Sequence, residues 1–313
     1  MRKIKAPKLE CDRRILLIVV ILMAISCSLV ASSSSYFSAG KFGDTYFLLK
    51  RHLVRMAIAG LFLVLAFHID YRVFRRLSPV AMGAGVAMLL GLFIFGVAIR
   101  GPVRTYQLDF LQMTFQPSEI ARFALVLFLA FWIARKGKDL SQFKSGFLPA
   151  GVLVVIVLGL MAAQPSFGSA SATAVIAFLM LFLGGARLSH LALLASTVIG
   201  LAAIAVRTVG YVGDRVHAYF NPGEGIGELN WQLHQSLIGL GTGGPFGLGF
   251  GASRQKLNWL PDSHTDFIFS ILGEEAELMG TMFVSLLFLL LALRALRISR
   301  QSNDRFGEML AVG

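Results

Sequence analysis

Eight apolar segments constrain this 313-residue chain more than any other feature of its sequence. Each is close to the length at which a helix crosses a hydrocarbon core of about 30 Å, and a helix satisfies its own backbone hydrogen bonds in lipid. A composition of 56% hydrophobic and 15% charged residues excludes an ordinary soluble domain. We therefore predict an all-α fold, a polytopic membrane helix bundle of about eight transmembrane helices. The predicted spans are residues 15–30, 53–69, 80–99, 120–134, 148–163, 170–183, 188–206 and 279–298.

The spans divide the chain into three parts. Residues 1–14 form a basic N-terminus, residues 15–298 a single transmembrane bundle, and residues 299–313 a short tail. The basic start, the first apolar run and the small residues after it together look like a cleavable signal peptide. We prefer an uncleaved first span, because further spans follow and the basic region is long.

The distribution of basic residues predicts the orientation of the bundle. Of the 29 Lys and Arg residues, 18 lie in the termini and loops of one side and nine in the loops of the other. Positive charge favours the cytoplasmic side, so both termini are predicted to be cytoplasmic. The net charge of +12 does not indicate nucleic-acid binding, because the basic residues form no run with interleaved aromatic side chains. The two cysteines are too few for a disulfide framework.

One outward-facing loop, residues 207–265, is long enough to carry a function. Its glycine-rich sequence GTGGPFGLGF at 241–250 would let backbone N–H groups approach a phosphate. The sequence lacks the Lys-Ser/Thr ending of a nucleotide-binding P-loop. A close-packed surface turn is the simpler interpretation, and contact with a lipid pyrophosphate is the alternative.

Charged side chains are concentrated in residues 253–280, SRQKLNWLPDSHTDFIFSILGEEAELMG. If residue 265 onward is helical, Asp266, Ser270 and Glu277 lie on one face of the helix. Glu274 flanks that face, and Glu275 points in the opposite direction. Such a cluster could hold Mg²⁺ or Mn²⁺ through oxygen ligands, or could simply border a wet cavity. His264 is a base, a metal ligand or an ordinary hydrogen-bonded histidine, and no HxxxH or HExxH spacing supports zinc.

A second polar group, QPSE, opens the fourth span. Pro117 suits the first helical turn, and Glu119 complements the positive end of a helix. Glu119 and Arg122 are three residues apart and share a face, so a capping motif with a structural ion pair is as well supported as a binding site. Arg122 nevertheless lies about one turn inside the span, where ions normally face a bundle interior or a wet cavity.

Four motifs occur in a fixed order: QPSEIAR at 116–122, QLHQSLIGLGTGGPFG at 232–247, SRQK at 253–256, and LPDSHTDFIF at 260–269 followed by GEE. Their sequence and order resemble the SEDS family of peptidoglycan glycosyltransferases. The resemblance covers most of the chain and is highly specific. YFLLKR at 46–51 and FLGGAR at 182–187 favour the cell-division branch of that family, FtsW.

The resemblance implies an enzyme that polymerises lipid II at the outer face of the bacterial cytoplasmic (inner) membrane, with Asp266 of the HTD motif as its essential residue. It implies a class B penicillin-binding protein as partner, which supplies the peptide cross-linking, and other divisome or elongasome membrane proteins. Glu119 matches the family's QPSE glutamate, and Arg122 stands where a lysine is usual.

Three departures from the family pattern stand out. Ser166 replaces the aspartate of a QPDLG motif that begins at Gln164, and Thr105 replaces the tryptophan after Arg104. From the residues alone, Arg104 is an interface anchor or a phosphate ligand, and Gln164 begins a turn. Family members have ten spans, whereas this chain stops where the ninth would begin, so we expect a fragment or a truncated product.

The implied reaction assigns roles to these residues. A sugar hydroxyl that attacks an anomeric carbon bearing pyrophosphate needs a base for its proton and cations for the departing phosphate. We predict Asp266, partly withdrawn from water, as the general base of an inverting displacement. Glu119 would orient Arg122 or help to hold a divalent ion. The predicted substrate-binding residues are Glu119, Arg122, Arg104, Arg254, Lys256, His264, Thr265 and Gln164.

Two other functions are compatible with the sequence. One is a flippase for a lipid-linked precursor, whose polar residues would line a path through the midplane of the membrane. The other is a truncated, inactive scaffold for a penicillin-binding protein. The inner halves of the spans are almost uncharged, which favours the enzyme over the flippase.

Overall fold

The computed structural model describes residues 12–95, 106–108, 113–164, 166–220, 228–244 and 247–313. The strands β1 (Tyr106–Leu108) and β2 (Met113–Phe115) pair antiparallel, with Gln107 opposite Thr114. A 3₁₀ turn and a π-helical turn, Gly137–Ser141 and Phe143–Phe147, join the fourth and fifth helices. The α-helices are α1 Arg13–Phe42, α2 Phe47–His68, α3 Tyr71–Phe95, α4 Pro117–Lys136, α5 Leu148–Ala163, α6 Phe167–Leu183, α7 Leu188–Thr208, α8 Gly210–Phe220, α9 Glu228–Gly241, α10 Ile268–Gln301 and α11 Arg305–Val312.

The predicted spans coincide with helices throughout the described ranges. Among the residues that the structure describes, six segments have the length and composition to cross a membrane: Arg13–Phe42, Tyr71–Ile94, Pro117–Ser141, Phe143–Ala163, Leu188–Thr208 and Ile268–Gln301. The helix α6 is apolar but has only 17 residues, and α2 carries Lys50, Arg51 and Arg55 in its first half. Residues 96–99 of the third predicted span lie outside the described ranges. The all-α membrane fold is confirmed, with β1 and β2 as a short exception, and the chain is a multi-pass membrane protein.

The chain folds into two compact units. The first contains Met1–Phe67 and His217–Arg294, and the second contains His68–Val216 and Ala295–Gly313. The loop 207–265 is partly helical, because α8 and α9 form within it.

In the second unit, α4 packs against α3, α5, α6 and α11. Its inward side chains are fully buried, including Leu129, Ala130 and Ile133. Gly85 of α3 lies so close to Ala121 that an added Cβ would be 3.2 Å from the Ala121 Cα. Lipid tails are as apolar as leucine, so this core is stabilised by close packing between helices rather than by removal from water.

The last residues of the chain belong to that core. We predicted residues 299–313 as a tail, but α10 continues to Gln301 and α11 follows. Phe306 is buried, and the Tyr71 hydroxyl donates a hydrogen bond to Asp304 Oδ1 at 2.6 Å. Arg305 donates to the Gly184 carbonyl at 2.9 Å. The segment is therefore a packed part of the second unit and not a free tail.

The turn between α1 and α2 fixes the end of α1 in the first unit. Gly43 adopts a left-handed conformation with φ 70°, and its N–H donates to the Ala39 carbonyl. Asp44 accepts hydrogen bonds from the Lys50 ammonium at 2.8 Å and the Tyr46 N–H at 2.9 Å. These two donors, Lys50 first, hold the pKa of the Asp44 carboxyl below its ordinary value. The last turn of α1 thus has a defined position relative to the turn after it.

The start of α10 corrects a prediction about the acidic cluster. The helix begins at Ile268, and Thr265 to Phe267 form turns. At Glu277 the helix has a break, with φ 48° and ψ −144°. The side chains of Asp266, Ser270 and Glu277 therefore do not share one continuous helical face, and that prediction is wrong. Within this unit, the Ser236 hydroxyl of α9 lies 2.8 Å from the Ser270 hydroxyl of α10.

Candidate functional site

Asp266 lies in an ordered turn in front of α10. The Asp262 carbonyl accepts hydrogen bonds from the Thr265 N–H at 3.0 Å, the Thr265 hydroxyl at 3.2 Å and the Phe267 N–H at 3.4 Å. These bonds close the turn and present Asp266 at the surface. Its side chain is exposed, so the expected partial withdrawal from water is not found. Within the part of the chain that the structure describes, its carboxylate has no hydrogen-bond or ion-pair partner, so it is free to accept a proton.

His264 is held by an aromatic side chain of α1. Its ring stacks on Phe37, with centroids 4.6 Å apart and an interplanar angle of 26°. The Lys41 ammonium lies 5.4 Å from the centroid of the same Phe37 ring. The HTD segment is therefore tied to the last turns of α1 through a ring contact, which sequence spacing alone did not indicate.

Glu274 organises the SRQK motif. Its side chain is buried, with the residue only 1% exposed. Its carboxylate accepts hydrogen bonds from the Ser253 hydroxyl at 2.5 Å, the Arg254 N–H at 3.0 Å and the Gln255 N–H at 3.2 Å. A buried carboxylate needs such donors, and here one turn supplies all three. The turn leaves the Arg254 side chain exposed.

Glu275 and Lys256 form a buried ion pair at 3.3 Å. The two residues are 4% and 8% exposed. The Lys256 ammonium also donates to the Ser32 hydroxyl of α1 at 3.1 Å and the Gly251 carbonyl at 2.5 Å, and Ser32 donates to Glu275 at 2.5 Å. Lys256 is thus enclosed by partners, whereas we had predicted it among the substrate-binding residues. Glu275, which we had placed on the opposite face from the site, is the residue that pairs with it.

The glycine-rich segment packs on α10 next to these carboxylates. Leu248 N–H donates to the Glu274 carbonyl at 3.0 Å, and Gly249 N–H donates to the Glu275 carbonyl at 3.1 Å. The break at Glu277 explains this, because carbonyls one turn before a break lose their regular helical donors. Within 247–251, the close-packed turn is the interpretation that the structure supports. Residues 245 and 246 lie outside the described ranges.

Replacing Gly247 by alanine is expected to destabilise the first unit strongly. Gly247 has φ +80°, and an added Cβ would lie 2.2 Å from the Glu275 carbonyl oxygen and 3.0 Å from the Ala276 Cα. Both neighbours are backbone atoms and cannot rotate away. Strain and overpacking together cost about 2–5 kcal/mol. The measurement is thermal unfolding of the purified protein in detergent.

Two neighbouring glycines serve as controls for Gly247→Ala. Gly249 has φ +95° but open space around it, so Gly249→Ala carries only the backbone strain. Gly241 has open space and no positive φ, so Gly241→Ala should be close to neutral. Equal melting temperatures for all three variants would contradict the packing seen at Gly247.

In the second unit, Glu119 and Arg122 form the predicted pair. Pro117 is the first residue of α4, and Glu119 lies in its first turn. The Arg122 guanidinium donates to Glu119 at 2.9 Å, to the Thr173 hydroxyl at 3.1 Å and to the Ser169 carbonyl at 3.5 Å. The side chains of Glu119 and Arg122 are 52% and 24% exposed, so a ligand can reach both.

The remaining predicted binding residues divide into two groups. Gln164 is buried, and its amide donates to the Leu89 carbonyl at 2.8 Å, so it braces α3 against the end of α5. Ser166 is also buried and donates to the Gln164 carbonyl at 3.3 Å. Thr265 is exposed beside Asp266. Arg104 lies outside the described residues.

A divalent ion stays a prediction. Among the residues that the structure describes, His, Cys, Asp and Glu side chains do not come together in groups of three that could hold a metal. Glu274 and Glu275 already accept hydrogen bonds from the protein.

The chain is similar in sequence to one protein family along nearly its whole length. The family model that describes FtsW, RodA and SpoVE, a cell cycle protein family, matches residues 12–313. The probable peptidoglycan glycosyltransferase FtsW of Geobacter sp. (strain M18) is 34% identical over 307 residues, which are 96% of this chain and 82% of the relative. The stage V sporulation protein E of Bacillus subtilis (strain 168) is 33% identical over 309 residues, covering 98% and 84% of the two chains.

Solved structures show the same fold. The rod shape determining protein RodA of Thermus thermophilus superposes with a TM-score of 0.70 at 22% identity, covering 98% of this chain and 81% of RodA. A chain of a peptidoglycan synthase complex, solved to explain how polymerization and crosslinking are coordinated, superposes with a TM-score of 0.76 at 22% identity, covering 96% and 82%. From the family match and these relatives, the chain belongs to the FtsW/RodA/SpoVE family of polytopic membrane proteins.

Proposed function

We propose that this protein is an inverting peptidoglycan glycosyltransferase that polymerises lipid II into glycan strands. The observation that carries the proposal is Asp266, an exposed carboxylate on an ordered turn within the HTD motif, without a partner among the described residues. Relatives named as probable peptidoglycan glycosyltransferases support it, since they match 96–97% of the chain. Exposed Arg254 in the same unit offers the positive charge that the reaction needs.

The proposed reaction is a single displacement. The 4-hydroxyl oxygen of one sugar attacks the anomeric carbon of another, and the hydroxyl proton moves to the Asp266 carboxylate. The bond from the anomeric carbon to the pyrophosphate oxygen breaks, and its electron pair leaves with the lipid pyrophosphate. Pyrophosphate is a good leaving group when cations neutralise it, so a second carboxylate as general acid is not required.

The predicted site residues divide into binding and positioning roles. In the first unit, Arg254 would bind the pyrophosphate electrostatically. In the second unit, Arg122 is kept as a predicted anion-binding residue, which Glu119 would orient through their 2.9 Å pair. Lys256 is enclosed by Glu275 and Ser32, so it positions the SRQK turn rather than binding substrate. His264 and Thr265 would shape the turn that carries Asp266.

The proposal includes a location and a partner. We place the protein in the bacterial cytoplasmic membrane with both termini in the cytoplasm, because basic residues are concentrated on that side. A class B penicillin-binding protein would supply peptide cross-linking, which no residue group described above can perform. The similarity to a chain of a peptidoglycan synthase complex supports such a partner.

Replacing Arg122 tests the pyrophosphate role. Arg122→Gln removes the charge beside Glu119 and is expected to lower kcat/KM for lipid II by about 10- to 100-fold. Arg122→Lys keeps the charge and should stay within about threefold of the wild type. Arg76→Gln, which removes an exposed arginine of α3 in the same unit, is the control. Wild-type kinetics in Arg122→Gln would remove Arg122 from the proposed site.

A reconstitution experiment tests the proposed function itself. The purified protein is placed in liposomes with fluorescent lipid II, with and without a class B penicillin-binding protein. Glycan polymers on a gel are expected for an enzyme. Transfer of labelled lipid II between leaflets without polymer would instead support the flippase. Neither activity, together with stable binding of the penicillin-binding protein, would support the scaffold.

A further inference from the structure

A cavity of ≈ 670 Å³ lies at the end of α1 in the first unit. Cavities of this size are typical of small-molecule sites. One wall comes from the last turns of α1, and the other comes from Asn258 in the outer loop. The lining residues are Tyr36, Phe37, Ala39, Gly40, Lys41 and Asn258. Phe37 of this lining also contacts His264, whereas the residues proposed to act in the reaction lie outside the lining.

The chemistry of the lining suits a saccharide better than a lipid chain. Tyr36 offers an aromatic face, with the residue 49% exposed, and Lys41 and Asn258 offer polar groups. An aromatic face packs against the C–H groups of a sugar ring, while the ammonium and the amide can bond its oxygens. Two smaller cavities of the second unit, ≈ 250 and ≈ 260 Å³, are lined mainly by aliphatic side chains, as an acyl chain would require.

The Lys41 ammonium and the backbone at Asn258 have defined positions in the cavity. The Lys41 ammonium lies 5.4 Å from the centroid of Phe37 and 5.5 Å from that of Phe42. Asn258 has a left-handed backbone with φ 68°. The Trp231 indole N–H donates a hydrogen bond at 3.1 Å to the carbonyl of Trp259, the residue that follows Asn258. Groups held in this way lose little conformational freedom on binding.

Phe37 connects the cavity to the HTD turn. Phe37 lines the cavity, and its ring also stacks on the His264 ring with 4.6 Å between the two centroids. Asp266 is two residues further along the chain, so its Cα lies at most about 7.6 Å from that of His264. The cavity and the proposed base are therefore linked through a single ring contact and a two-residue step of the chain.

We propose that the cavity at the end of α1 is a binding subsite for a sugar residue of the glycan, next to the residue that reacts at Asp266. This proposal rests on the proposed function, and it adds a location for the saccharide that neighbours the reacting sugar. The ligand class is an N-acetylated sugar, whose ring packs on Tyr36 and whose oxygens accept hydrogen bonds from Lys41 and Asn258.

Direct binding of a soluble glycan tests the subsite. The full chain in detergent micelles is titrated with a peptide-free tetrasaccharide of alternating N-acetylglucosamine and N-acetylmuramic acid, followed by saturation-transfer NMR. Tyr36→Ala and Lys41→Gln are each expected to weaken binding about tenfold. Tyr46→Ala removes another exposed tyrosine, in the turn between α1 and α2, and should bind like the wild type.

The outcomes separate the subsite from the proposed function. Tetrasaccharide binding that depends on Tyr36 and Lys41, without polymer formation from lipid II, would keep the subsite and reject the polymerase. Polymer formation with unchanged binding and unchanged KM in Tyr36→Ala and Lys41→Gln would reject the subsite, and these residues would then be anchors at the membrane surface. Absence of tetrasaccharide binding to the wild type would also overturn the subsite.

Discussion

Asp266→Asn is expected to abolish glycan polymerisation while the protein keeps its fold. The asparagine amide has nearly the same shape as the carboxylate but cannot accept the hydroxyl proton. Loss of a general base lowers rates by about 10²–10⁴-fold. The fold should be unaffected, because Asp266 is exposed and its carboxylate makes no hydrogen bond or ion pair within the described residues. The measurement is the initial rate of polymer formation from labelled lipid II, with the melting temperature measured on the same sample.

A matched control separates proton transfer from loss of surface charge. Asp214 is an exposed aspartate of α8 in the predicted outer loop, and Asp214→Asn removes the same charge. Its polymerisation rate should equal that of the wild type. If Asp266→Asn polymerised lipid II at the wild-type rate, the base would have to be another residue. If both variants lost activity equally, the effect would be one of charge in the outer loop.

Most of the fold could be predicted from the sequence because the bilayer leaves few alternatives. An apolar segment of about 15–20 residues in lipid must satisfy its backbone internally, which makes it a helix. The helix ends were harder to place. The first helix begins at Arg13 and continues to Phe42, well beyond the predicted end at residue 30, because Ser32, Ser33, Ser34 and Ser38 are buried inside the first unit. Polar residues there indicated an end, but they face protein.

The candidate site was predicted only in part. Glu119 and Arg122 were paired correctly, since a spacing of three residues on a continuous helix fixes the contact. Helical spacing could not predict the contacts of the GEE motif, because residue spacing indicates which side chains share a face only where the helix is regular. The late start at Ile268 and the break at Glu277 interrupt that regularity.

One signal for the role of Glu275 was present in the sequence. Charges next to a span normally need a partner, and Lys256 and Glu275 carry opposite charges at its edge. The contact between Ser32 and Glu275 could not be predicted from the sequence, since the two residues are 243 positions apart along the chain. The ring contact between Phe37 and His264 also joins residues that are far apart in the sequence. Long-range contacts of single polar or aromatic residues leave no periodic pattern.

Glu275→Gln is expected to destabilise the protein strongly. It leaves the Lys256 ammonium buried without a counter-charge, and breaking one partner of a buried pair costs about 3–5 kcal/mol. Lys256→Met should cost a similar amount, because it leaves the Glu275 carboxylate unpaired. The double variant Lys256→Met/Glu275→Gln removes both charges and should regain much of the loss. The measurement is the midpoint of thermal unfolding in detergent.

The exposed ion pair of Glu119 and Arg122 in the second unit shows how much of the loss of stability comes from burial of the charges. Glu119 is 52% exposed on its side chain, so Glu119→Gln should change stability by only about 0–1 kcal/mol although it also breaks an ion pair. A double variant less stable than either single variant would mean that Lys256 and Glu275 contribute through Ser32 and Gly251 rather than through each other. Recovery in the double variant would establish that the pair holds the SRQK turn against α1 and α10. Polymerisation by that double variant would then show whether the buried charges serve stability alone or also keep the exposed Arg254 side chain in its working position.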